Sequence, residues 1–196
     1  MAKVHKLKPS QIQVENAVRT LLAWAGDDPD RQGLKETPSR VARAYKEWFK
    51  GYDENPEAIL LRTFDETAGY DEIVTLRDIP FQSFCEHHLA PITGIAHVGY
   101  LPKGKVVGLS KIPRLVEVYA HRLQLQEQMT KSIAEALNGT LEPRGVGVVV
   151  EARHLCMEMR GVETPGGRMI TSCMLGTFRR DPRTRAEFLD LVHRPS

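Results

Sequence analysis

Several features are scarce in this sequence, and each scarcity excludes a class of protein. Cysteine occurs only 3 times in 196 residues, an odd count with no close pair. That excludes a disulfide framework and leaves thiols free for metal in a reducing compartment, so cytoplasm is the expected location. The formal net charge is only +2, which gives no ground for a nucleic-acid partner. No apolar run approaches the length of a membrane span, and the stretch from Met1 to Lys8 lacks the apolar core of a signal peptide. Repeats and low-complexity segments are also missing. What is present is ordinary for a soluble globular chain, with 41% hydrophobic and 27% charged residues, and 196 residues are enough for one well-cored domain or for a domain with a helical extension.

Helical spacing opens the chain. Ile12, Val14, Ala17, Val18, Leu21, Leu22 and Ala25 predict a helix over 10–25 with Ser10 as its cap. A second helix is predicted from Thr37 as cap and Pro38 at the first helical position, with Gly51 as its stop. A short helix near 55–61 and then a loop follow. From about residue 72 the texture becomes that of strands. Ile73–Leu76 is one, ending near Pro80. Ile92–Leu101 is another, with Val106–Leu109 as its hairpin partner across Pro102-Lys103-Gly104-Lys105. A helix from Ser110 and a second one through Met129 and Leu137, stopped by Asn138-Gly139, come next. Strands over Gly145–Arg153 and Thr171–Phe178 and a C-terminal helix capped by Asp181 complete the pattern. This order predicts an α+β fold, an antiparallel sheet backed by helices. Residues 1–70 form a helical region and residues 71–196 the main domain.

Chemistry gathers at two places. Cys85 and His88 have Cys-x-x-His spacing and share a face in one tight helical turn. His154 and Cys156, read as extended, look the same way. A lone Cys or His would be read as packing, but the two pairs together predict a zinc ion held by Cys85, His88 and Cys156. Three ligands with an open fourth position suit a catalytic site. His87 and His154 remain for acid–base work. Cys173, in an apolar strand without such neighbours, is read as core.

Elsewhere, Ser110, Lys111 and Arg114 gather a hydroxyl and two cations at a helix start, where backbone N–H groups and the helix dipole favour an anion. By itself the segment reads equally well as a solvated helix start. Arg160 could add a bidentate phosphate contact, and Arg40 is a helix-surface cation. Glu127 could accept two hydrogen bonds from a guanine edge. From the local sequence alone it reads better as a carboxylate that does no more than stabilise a helix N-terminus.

Four stretches carry a resemblance. They are Ser83-Phe84-Cys85-Glu86-His87-His88-Leu89, Gly108-Leu109-Ser110-Lys111 with Arg114, Arg122-Leu123-Gln124-Leu125-Gln126-Glu127, and His154-Leu155-Cys156-Met157 with Arg160-Gly161-Val162. In that order the chain resembles the GTP cyclohydrolase I family, more loosely also through Glu36-Thr37-Pro38-Ser39-Arg40. The resemblance implies the tunnelling fold, with paired helices on one face of the sheet. It implies a homo-oligomer, two pentamers stacked as a decamer, with active sites between subunits. It implies GTP as substrate, with water, and 7,8-dihydroneopterin triphosphate and formate as products, at the head of folate or pterin synthesis. It also implies zinc on Cys85, His88 and Cys156, and acid–base roles for His87 and His154. Glu127 would anchor guanine with Gln126 beside it. Ser110, Lys111, Arg114, Arg160 and Arg40 would contact ribose and triphosphate. A zinc deaminase is disfavoured because its His-x-Glu and Cys-x-x-Cys signature is missing. A nucleotide or pterin sensor with structural zinc remains the other reading, and Glu86 is the nearest residue to fill the fourth position.

Overall fold

The structure, a computed structural model, describes residues 8–61, 63–64 and 70–193. By its internal contacts the chain forms two compact units, Met1–Phe49 and Lys50–Ser196.

The first unit is a helix pair. α1 (Gln11–Trp24) starts as expected: the Ser10 hydroxyl accepts from Gln13 N–H, and the Gln13 side chain accepts from Ser10 N–H. α2 (Thr37–Trp48) packs against it. Thr37 lies inside α2 rather than capping it; Glu36 holds the cap position and makes no side-chain cap bond.

The second unit holds the sheet. Gly51 does not stop α2. It sits in a 3-10 turn, Lys50–Tyr52, where a Cβ would lie 2.1 Å from the Val118 carbonyl oxygen. Its role is close approach, not capping. α3 (Pro56–Leu60) matches the expected short helix, with Asn55 as its cap. Of the loop expected after it, residues 62 and 65–69 lie outside the described residues. β1 (Thr63–Phe64) pairs with β4 (Val106–Val107), so the predicted hairpin of Val106–Leu109 with the preceding strand does not form. The Tyr100 hydroxyl accepts from Val107 N–H and ties that segment down.

β2 (Val74–Cys85) and β3 (Pro91–Leu101) form the long hairpin. β2 runs straight through Pro80, past the expected end. Beyond a bulge at Arg77 and Asp78, only its last two residues pair on the far side, so Pro80 occupies an otherwise open edge where no N–H is required. α4 (Lys111–Ala120) leads to β5 (Leu123–Gln124), which pairs parallel with Phe84 and Cys85. α5 (Gln126–Leu141) passes through Asn138-Gly139 and ends at Glu142 with φ 47°. Leu137 and Leu141 are buried, and this packing overrides the local stop signal.

β6 (Gly145–His154) and β7 (Met169–Gly176) complete the sheet, in the order β5-β2-β3-β6-β7. The four long strands are antiparallel. Between β6 and β7 the chain makes a helical turn, α6 (Leu155–Glu158), where an extended stretch was expected. α7 (Thr177–Arg180) takes the end of the predicted last strand, and α8 (Pro182–His193) follows.

One sheet face packs on α4 and α5: Ala96, Val98, Val148 and Val150 meet Leu115, Val116, Ile133 and Leu137. On the other face, Val149, Phe178, Phe188 and Val192 form a second core beneath α8. Gly147 admits the two rings; a Cβ there would lie 2.7 Å from Phe178. This is the tunnelling-fold arrangement, with paired helices on one face and a further helix behind.

Candidate metal and substrate site

β2 ends at Cys85, which is buried. There the chain closes a single turn: Cys85 N–H donates to Ala90 O, and Leu89 N–H donates to Cys85 O at 2.9 Å. Leu89 takes φ 53° to complete it. Next door, Glu86 N–H donates to Gln124 O, which fixes the turn to β5. Cys85 and His88 therefore face one point, as their spacing predicts.

His154 is the last residue of β6, and Cys156 lies in α6. The expectation that the two share a strand face is corrected: the strand ends between them. The helical turn still brings Cys156 to Cys85. One ligand atom each from Cys85, His88 and Cys156 lies within 4.8 Å of the others. A tetrahedral zinc with Zn–S near 2.3 Å and Zn–N near 2.0 Å needs ligand separations of roughly 3.3–3.8 Å. Two thiols and an imidazole at this spacing fit such an ion after a small closure. Burial, and then the neighbouring Cys85, push the Cys156 thiol above its ordinary pKa. Glu86 does not join the group; its carboxylate oxygen lies 3.9 Å from His87 Nε2.

Around this cluster the structure gathers five further predicted residues. Arg160 Nη1 lies 3.0 Å from His88 Nε2. The His87 ring stands edge-on to His88, with centroids 6.2 Å apart, and is open to solvent. His154 Nε2 lies 2.7 Å from Gln126 Oε1. Burial pushes His154 below its ordinary pKa, and Glu127, exposed in the first turn of α5, pulls it back. Beside His154 opens a cleft of about 300 Å³ lined by Met157, Thr164, Gly167, Arg168 and Met169.

Other predicted residues stand apart. The C-terminal end of α4 feeds β5 and so reaches Cys85, whereas Ser110 and Lys111 lie at its opposite end, about 15 Å along a ten-residue helix. Arg114 faces a separate cleft with Glu54, Asn55, Ile59 and Glu117. Ser110 makes no side-chain cap bond. Arg40 is exposed on α2, in the other unit. Cys173 packs against the main core, as expected. Arg122 is structural: its Nε donates to Gly51 O, and its guanidinium stacks on Tyr52 and Tyr119.

Sequence reasoning missed Thr130, Thr171 and the cleft residues Met157, Thr164, Arg168 and Met169. Thr130 follows Gln126 by four positions on one helix, a readable signal. The others are brought close only by the β6–β7 connection.

Sheet, paired helices and a Cys–His–Cys cluster together define a tunnelling-fold protein with a candidate metal centre. Family comparison narrows the class: the family described as GTP cyclohydrolase I matches residues 14–193, and the chain belongs to it. GTP cyclohydrolase 1 of Sinorhizobium fredii is 54% identical over 185 residues, covering 94% of this chain and 90% of the relative. The protein of the same name from Brucella canis is 52% identical over 192 residues, covering 98% and 90%. Among solved structures, the archaeosine synthase QueF-Like in the apo form aligns with 55% of this chain and 96% of its own, at TM-score 0.46 and 20% identity.

Proposed function

We propose that the protein is a zinc-dependent hydrolase converting GTP and water to 7,8-dihydroneopterin triphosphate and formate, the first step of folate or pterin synthesis. The observation that carries the reading is the convergence of Cys85, His88 and Cys156 from two distant segments. In this reading those three side chains hold the ion, and the fourth position is open. Bound there, zinc supplies a Lewis acid that lowers the pKa of water from about 15.7 toward ~7.

The chain's own groups do the rest. Glu127 accepts from guanine N1–H and the 2-amino group, with Gln126 beside it. His87 delivers a proton to N7 as water adds at C8, so the ring nitrogen can leave. His154 moves protons during the second hydration and formate release. Ser110 serves the later ribose rearrangement. Lys111, Arg114, Arg160 and Arg40 hold the triphosphate.

Apart from Arg40, every proposed residue falls within 71–196. Ser110, Lys111 and Arg114 lie at the far end of α4 from the cysteines, which supports a complete site built from more than one copy. The proposed assembly is a homodecamer of two pentamers in the cytoplasm. No described helix is long and apolar enough to cross a membrane.

Incubation of the zinc-loaded protein with GTP should give a fluorescent pterin after oxidation, together with formate. A chelator should abolish both, and added zinc should restore them. GTP bound but unchanged by fully loaded protein would instead support a sensor with structural zinc.

A further inference from the structure

The Gln126 side chain is buried and fully occupied by the protein itself. Its Nε2 donates to Val150 O at 3.1 Å, Met169 O at 2.9 Å and Thr171 Oγ1 at 3.1 Å. Two of these acceptors are backbone carbonyls, so the amide cannot be flipped without setting oxygen against oxygen. Its Oε1 therefore faces His154 Nε2 at 2.7 Å, and it can only accept.

The hydroxyls complete an ordered chain. Thr130 Oγ1 donates to the Gln126 backbone carbonyl at 2.7 Å. With its hydrogen used there, Thr130 must accept from Thr171 across 2.6 Å. Thr171 in turn keeps a lone pair for Gln126 Nε2. The two Nε2 hydrogens of Gln126 serve three acceptors, so one of them is shared, whereas each threonine hydroxyl hydrogen has one place to be.

We infer that Gln126, held by Thr171 and Thr130, is a positioning residue for His154 rather than a reader of the base: it keeps the proton on Nε2 and leaves Nδ1 to exchange protons with the reacting molecule. A neutral imidazole has one donor and one acceptor nitrogen, and an amide oxygen selects which is which. Neither threonine needs to touch substrate. The inference rests on the proposed proton-transfer role of His154.

The test uses full-length, zinc-loaded protein and GTP. Gln126→Met, of similar size but without polar atoms, should lower kcat by about 10- to 100-fold with KM nearly unchanged, as expected when an acid–base group loses its alignment. In 15N-histidine-labelled protein, the hydrogen-bonded His154 Nε2 proton signal should be lost in this variant. Thr171→Val should give a smaller loss with the same kcat-only pattern, and Thr171→Ser should restore activity. A rise in KM with kcat retained would overturn the inference and return Gln126 to substrate binding. An unchanged ring-proton signal in Gln126→Met, or wild-type kcat in Thr171→Val, would overturn it as well. If Gln126→Met fails to fold, the Thr171 pair decides. His154→Ala turning over normally would sink the role of His154 itself, while the ring-proton signal still judges the contact.

Discussion

Glu127 shows at the scale of one residue why local sequence is ambiguous. It sits in the first turn of α5, where any carboxylate is stabilised by the helix dipole. In the folded chain it acts electrostatically on His154, the last residue of the strand that leads to the Cys–His–Cys cluster. Glu127→Ala should lower kcat/KM for GTP by about 100-fold or more, chiefly through KM, because the guanine donors lose their partner. Inosine triphosphate lacks the 2-amino group. It should be a poorer substrate than GTP for the parent protein and no poorer than GTP for the variant. Equal discrimination by both proteins would remove Glu127 from guanine recognition. The Cys–His–Cys cluster differs from Glu127 because its signal lay in the pairing of two rare spacings. Cys85 and His88 converge through a local turn that the sequence announces. Cys156 arrives by a helical turn that the sequence does not announce, since Leu155–Glu158 is too short to show a period.

Among elements, the bulge in β2 depends on a buried histidine. His97 Nδ1 accepts from Asp78 N–H at 3.2 Å, and Asp78 takes φ 58°. Burial pushes His97 below its ordinary pKa. Asp78 on β2 and Glu151 on β6 pull it up, and His193 on α8 and Arg77 push it further down. With the folded value below the unfolded one, the folded state binds fewer protons. The stability held by neutral His97 is therefore complete above about pH 6.5 and is lost as pH falls toward the folded value. Thermal denaturation should show a midpoint that drops from about pH 7.5 to 5.5, and His97→Gln should shrink that drop. The same drop in both proteins would acquit His97. Element boundaries were legible where a cap or a periodic face was strong, as at Ser10 and along α8. They were misread where packing outweighed local signals: α5 continues past Asn138-Gly139 because Leu141 is buried, and β2 continues past Pro80 along an open edge.

For the whole molecule, the placement of α4 matters most. It places Ser110 and Lys111 about the length of a ten-residue helix from the end that leads to Cys85, with Arg114 about one turn nearer. If active sites combine residues from different copies, then Cys85→Ser and Arg114→Ala proteins, each inactive alone, should regain activity when dissociated and reassembled together. Random mixing limits the recovery to about a quarter of the parent activity. No recovery, despite verified mixed assemblies, would place each site within one copy. The sequence by itself determined the α+β order, the candidate metal cluster and the family, because spacing, caps and rare side chains are local properties written along the chain. Tertiary structure alone decided that β4 pairs with β1, that Gln126 is spent on His154, and that Ser110 and Lys111 lie at the end of α4 away from the cysteines while Arg160 lies beside them. Those outcomes depend on which surfaces pack together, and packing is settled by contacts between residues the chain keeps far apart.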